Sequence, residues 1–232
     1  MIAEDRIAYV RLLALLLTAF SAGTLAAPYE VRLGIERIVL DAPPGFSDTT
    51  ELASPRLQEF AETLTAPSNR VLLFGLTDID YRRFMNGDQV EARRYVMVVT
   101  PKGLERERVG QAQFRTYVAD SLRALGQVAN PPDLRKHLEA QPEGKAVLLA
   151  ELRKDASLVS IMQGARLPPL EQSTFFDPPK RYLLATTTLV LLQGKALQLS
   201  VHTGYETAED LDWLRFITER WIEDLQRLNR GR

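Results

Sequence analysis

Apolar positions recur along this chain with two periods, and the switching between them predicts a layered α+β protein. Val31, Leu33 and Ile35 alternate with charged neighbours and lead into Ile38-Val39-Leu40, which predicts one strand over 31–41, stopped by Asp41-Ala-Pro-Pro-Gly45. Ser54 and Pro55 then open a helix whose apolar face is Leu57, Phe60, Ala61 and Leu64. The compact run Val71-Leu-Leu-Phe74 reads as a buried strand. Thr77 to Asp88 is a polar connection with a helical turn at 79–85, and 95–99 is a strand ended by Pro101. Residues 105–125 carry Val109, Ala112, Tyr117, Val118, Leu122 and Leu125 on one stripe and end at Gly126, so a helix is expected there. Asn130-Pro131-Pro132 starts a second, shorter helix that runs to Ala140. Residues 145–152 fit helix or strand, and the weak β-branched content favours helix.

The last third has the clearest pattern. A strand at 158–162 is followed by a proline-rich loop at 167–179. Two longer strands, 181–192 and 195–203, are joined by Gln193-Gly194, a two-residue hairpin signal. The first is apolar on both faces and belongs inside the sheet. The second places Leu197, Leu199 and Val201 on one face and Gln198, Ser200 and His202 on the other. Thr207 caps a long final helix on which Leu211, Leu214, Ile217, Trp221, Leu225 and Leu228 recur at spacings of three and four. Glu209, Asp210 and Asp212 sit at the positive end of its dipole, Arg227 and Arg230 at the negative end. Strands joined directly to strands pair antiparallel. The expected fold is therefore an α/β sandwich: a mainly antiparallel sheet of about six strands, covered by helices and sealed by a long C-terminal amphipathic helix.

The N-terminus alters the picture of where this fold works. Residues 12–20 are almost wholly apolar, Arg6 and Arg11 precede them, and Ser21, Ala22, Gly23, Thr24, Ala26 and Ala27 follow. Those are the parts of a secretory signal, with cleavage after Ala26, a single α+β domain over 27–232, and a periplasmic destination. A retained inner-membrane anchor is the lesser alternative, since 12–29 contain no charge. The cleaved protein is expected to be soluble, with no stable membrane insertion.

Composition then removes chemistries. The chain of 232 residues has no Cys, which excludes thiol nucleophiles, disulfides and thiolate metal sites. A net charge of −1 argues against nucleic acid as a partner. Arg82, Arg83, Arg93, Arg94, Arg106 and Arg108 are interleaved with Glu91, Glu105 and Glu107, so a mixed surface is expected. Only His137 and His202 are available as imidazole bases, and no nucleophile elbow or phosphate-binding glycine loop accompanies them. His137 reads as a solvated helix residue and His202 as a sheet-edge or half-buried side chain. Asp78, Asp80 and Asp88 form the one carboxylate cluster, whose bland reading is a hydrated loop. The pattern assigns no catalytic, cofactor-binding or metal-binding residue.

The turn Asp41-Ala-Pro-Pro-Gly-Phe46, the closing strand hairpin over 181–203 and the helix over 207–228 resemble the PsbP-like/DcrB-like group of exported α/β proteins. The resemblance spans 31–228 and departs from the group at the two consecutive helices of 105–152 and the loop of 167–179. It implies a non-catalytic accessory or interaction role and transfers no catalytic residue. The leading expectation is an exported, non-catalytic binding or accessory protein with an envelope protein partner. The alternatives are a carrier of an apolar, lipid-like small ligand held between the sheet and the helix at 105–125 or 207–228, and a hydrolase using Asp78 and Asp80.

Overall fold

Two dipeptides turn the chain back on itself and set the registers of the sheets. Gln193 and Gly194 both adopt positive φ, the requirement of a tight hairpin turn whose twist matches its strands. Gly34, at φ +60, opens a second two-residue turn with Ile35, so the stretch expected as one strand is a hairpin of β1 (Tyr29–Leu33) and β2 (Glu36–Leu40). A glycine followed by any residue is itself a hairpin signature, and Ile35, 91% exposed at the tip, belongs to the turn and not to the apolar alternation. In this computed structural model the structure describes residues 28–88, 90–169 and 181–231. The leader expected at 1–26 and the proline-rich loop from 170 onward lie outside those residues.

The main sheet has seven strands, all antiparallel, in the order β3-β4-β5-β9-β8-β7-β6. They are β3 (Phe46–Asp48), β4 (Asn69–Thr77), β5 (Arg94–Pro101), β6 (Val147–Lys154), β7 (Leu158–Leu167), β8 (Arg181–Leu192) and β9 (Lys195–Gly204). Two meanders, β3 to β5 and β6 to β9, join where β5 pairs β9. The helices are α1 (Pro55–Thr63), α2 (Asp78–Met85), α3 (Gln111–Arg123), α4 (Leu134–Glu139) and α5 (Ala208–Leu228). Among the described residues no helix is long and apolar enough to cross a membrane.

Two stretches fold otherwise than their sequence pattern suggests. Residues 147–154 form strand β6, not a helix, and its consecutive leucines bury on opposite faces, Leu148 in one core and Leu149 in another. Two register breaks against β7 obscure its alternation. The helix expected from 105 begins at Gln111, because the buried Lys195 ammonium donates to the carbonyls of Glu105 and Glu107 (3.2 and 2.7 Å) and holds that stretch irregular. Val109 N–H also donates to Gly194.

Helix α5 covers one face. Leu214, Ile217, Trp221, Ile222 and Leu225 pack on Leu197, Leu199 and Val201, and on Val31, Leu33, Ile38 and Leu40 of the hairpin, in one continuous core. Its start is capped: the Asp210 carboxylate accepts from the N–H groups of Glu206 and Thr207 (2.9 and 3.1 Å). Asn229, just past its end, accepts from Val39 N–H and donates to Val39 O and Leu225 O, which fastens β2 to the helix. The other face carries three separate clusters, one around Phe74 and Tyr95 with α1, and two others that take side chains from α3 and the turn after it.

Candidate functional site

The Pro43-Pro44-Gly45-Phe46 turn is the natural starting point. Pro44 presets the first central φ, Gly45 takes φ +86 at the second, and Phe46 N–H donates to Pro43 O at 3.1 Å, the geometry of a type II turn. The turn delivers Phe46 into the core, 6.1 Å from the Trp213 ring, and leaves Asp41 and Asp48 at its two ends. Trp221 Nε1 donates to Asp41 O at 2.7 Å, which ties the turn to α5. Ser47 Oγ donates to Asp78 Oδ1 at 2.7 Å, which ties β3 to the first residue of α2.

These ties frame an open groove of about 660 Å³ between the turn, the start of α2 and one flank of α5. Half-buried Tyr29 and Tyr81 supply aromatic surface, and the buried Phe46 and Trp221 rings lie beneath it. Tyr29 is fixed by a 2.6 Å bond from its hydroxyl to Leu72 O. Asp41, Asp48, Asp78 and Asp224 line the groove together with Arg220 and Arg227. Both guanidinium groups are engaged by Asp224, at 3.4 and 2.9 Å. Asp41, Asp48 and Asp78 form no ion pair among the described residues. Asp48 Oδ1 accepts from Thr50, whereas its buried Oδ2 has no hydrogen-bond partner. Burial pushes the Asp41 carboxyl above its usual range. The Ala42 N–H and Arg227 pull it back, Asp224 and Asp48 push it further, and the balance is upward.

A second groove, about 610 Å³, runs along α1 and is lined by Thr49, Ser54, Glu62, Thr65 and Lys102 among others. Its cations are already engaged, Arg70 by Glu105 and Lys102 by Pro67 O at 2.8 Å. A smaller cavity of about 190 Å³ beside α5 is bordered by Arg153, Ser160, Thr218, Glu219 and Glu223. Leu152 and Ile222 complete its lining, and it is below the roughly 300 Å³ at which ligand pockets begin. Beneath α5 lie the buried side chains of one core, with Leu214, Ile217, Trp221, Ile222 and Leu225 among them.

The carboxylates singled out by sequence part company. Asp80 is buried, its Oδ2 accepts from Thr77 Oγ1 and its N–H donates back to that hydroxyl oxygen, so it holds Thr77 in place as the cap of α2. Asp78 faces the groove. Two positions on a helix are about 200° apart, so the two side chains diverge instead of sharing a substrate. Asp88, Arg82 and Arg83 are exposed at the far end of α2. Arg93 and Arg94 pair with Asp210 (3.7 and 2.9 Å), and Arg94 also lies 4.1 Å over the Trp213 ring. Burial pushes the Asp210 carboxyl upward, but bonds from Glu206, Thr207 and Arg94 and the Arg93 charge outweigh it and hold the group low. Arg106 and Arg108 lie beyond the other end of β5, roughly 25 Å away along that strand, so the arginine pairs form no single patch.

His202 sits on β9, the middle strand of the seven, not at a sheet edge. Its ring stacks on Tyr95 at 4.3 Å with 10° between planes, and its buried Nδ1 has no partner. Burial lowers its pKa to about 4 and raises that of Tyr95 to about 12. His137 is half-buried on α4 with an unpartnered Nε2, less solvated than its charged neighbours suggested.

Sequence reasoning missed Asp41, Asp48, Asp224, Tyr29 and Trp221 as groove residues. The proline turn was visible, but its partner Trp221 lies 180 positions away, and no local pattern reports that meeting. No protein-family model matches the chain, and no curated protein matches it. Among solved structures, the Ran-binding protein Mog1p of Saccharomyces cerevisiae is similar at 12% identity over 87% of this chain and 93% of that one, with a TM-score of 0.36. A point mutant of Mog1 is similar at 10% identity over 88% and 93%, with a TM-score of 0.35. Likeness at that level carries no argument about what this chain binds.

Proposed function

We propose that this chain is a non-catalytic binding module, exported to the periplasm, whose envelope protein partner seats in the groove between the 41–48 turn, α2 and α5. The observation that carries the reading is the groove itself. Three separate elements converge on it, hydrogen bonds hold each in place, and its walls combine aromatic surface with polar ends. Fixed aromatic surface is what a partner's anchor residues need, because little conformational freedom is lost when they dock. The reading agrees with the leader-like run at 12–20 and with the accessory role implied by the PsbP-like/DcrB-like resemblance.

The test is site-specific photocrosslinking in the native host. A benzophenone side chain replaces Tyr81, in the groove, or Arg115, on α3. The expected result is one discrete protein adduct from position 81, recovered in the periplasmic fraction, and none from position 115. Absence of an adduct at 81, or equal adducts at both positions, refutes the reading.

A further inference from the structure

We infer that the segment seated in this groove is cationic: an extended stretch of the partner presenting spaced Arg or Lys side chains to Asp41, Asp48 and Asp78. The inference rests on the groove being the binding surface and adds the chemistry of its occupant.

Three observations carry it. First, the local charge is unbalanced. Four carboxylates line the groove against two guanidinium groups, and both of those are spent on Asp224. The remaining three are half-buried, where a carboxylate loses hydration and opposite charge counts for more than at an open surface. Second, only one oxygen of Asp48 is satisfied: Oδ1 accepts from Thr50, whereas Oδ2, covered by protein, has no donor among the described residues. A docked cation offsets the charge of that carboxylate through space without reaching the covered oxygen. Third, the carboxylates are dispersed. Among the described residues no three acidic or imidazole groups lie close enough together to hold a single metal ion. One point charge therefore cannot satisfy them, whereas cations spaced along a peptide can. Half-buried Tyr29 and Tyr81 are aromatic faces on which the same cations, or the apolar side chains between them, can rest.

The experiment measures fluorescence anisotropy of a labelled peptide of alternating Arg and Leu, titrated with the full chain. A peptide with Glu in place of every Arg is the control. Saturable binding of the Arg peptide alone is expected. Asp41→Asn with Asp78→Asn keeps the shape of both side chains and should weaken it about tenfold, whereas Glu59→Gln with Asp120→Asn, the same charge change elsewhere, should alter it less than about twofold. Arg220→Gln removes an exposed competing cation and should tighten binding roughly threefold; this variant decides the matter should the double Asn variant not fold.

Equal affinity for the Glu peptide overturns the inference, as does an unchanged affinity in the folded double Asn variant or a weakened one in Arg220→Gln. So does a position-81 adduct that excess Arg peptide fails to compete away, and in that case the groove reading survives. Loss of the adduct altogether removes the groove reading first.

Discussion

The two faces of the sheet differ in how they are covered. On one, α5 runs 21 residues, about 31 Å, and a single core extends beneath it from the β1–β2 hairpin to β7. On the other, helices of 9, 8 and 13 residues leave gaps, and the apolar side chains fall into three clusters. In those gaps lie half-buried polar groups: Gln163 donating to Thr187 at 3.2 Å, Gln198, and the His202 ring on Tyr95. Continuity of cover matters because a contiguous core opens as a unit, whereas separated clusters under short helices can open one at a time. The groove between the 41–48 turn, α2 and α5 sits along a flank of the continuous side.

The strongest challenge to this contrast is Leu214→Ala, at a position with no exposure. It should cost about 2–5 kcal/mol and lower the urea midpoint without changing the slope. A loss below about 1 kcal/mol shows that α5 does not organise the face. Acid comes next. His202 has a folded pKa near 4 against 6.5 for a free imidazole, so the unfolded chain binds the extra proton. Stability is thus fully present above about pH 6.5 and declines as pH falls toward 4, by about 2–3 kcal/mol for this one group. Asp41, held above its usual range, acts with the opposite sign and gains from protonation at the acidic end. Urea titrations at about pH 7 and pH 4 should show a decline that His202→Gln reduces; an identical decline in both proteins removes His202 as its source.

Phe114→Ala, on the divided face, is a finer probe. It should free α3 locally, with a global loss of about 1–3 kcal/mol and amide exchange rising first over 111–123. Exchange rising uniformly through β8 and β9 instead would show that the divided face opens as a whole. Smallest is Phe216→Ser. This ring is 65% exposed on α5, and the change should stay within about 0.5 kcal/mol in chemical denaturation. A larger shift would mean that the outer side of α5 is buried against something in solution.

What the sequence made legible tracks how local each cause is. The β8–β9 hairpin, α5 and the strand at 71–74 carry their own turn, cap or periodicity, and they form as expected. The errors came where a distant group decides. Lys195 holds 105–107 out of a helix from some 90 residues away, and β7 recruits 147–154 as a strand through a register with two breaks. Gly34-Ile35 was a local signal that apolar alternation masked. The groove was least visible, since its carboxylates come from the proline turn, the start of α2 and the end of α5.

Val39 and Asn229, 190 positions apart in the chain, exchange both hydrogen bonds as a strand pair would. The hairpin therefore receives its last fastening only after the chain has been synthesised through Asn229. Until then β1 and β2 present Val31, Leu33, Ile38 and Leu40 without their lid. That interval is the one in which a chaperone meets an incomplete chain whose apolar hairpin is still uncovered.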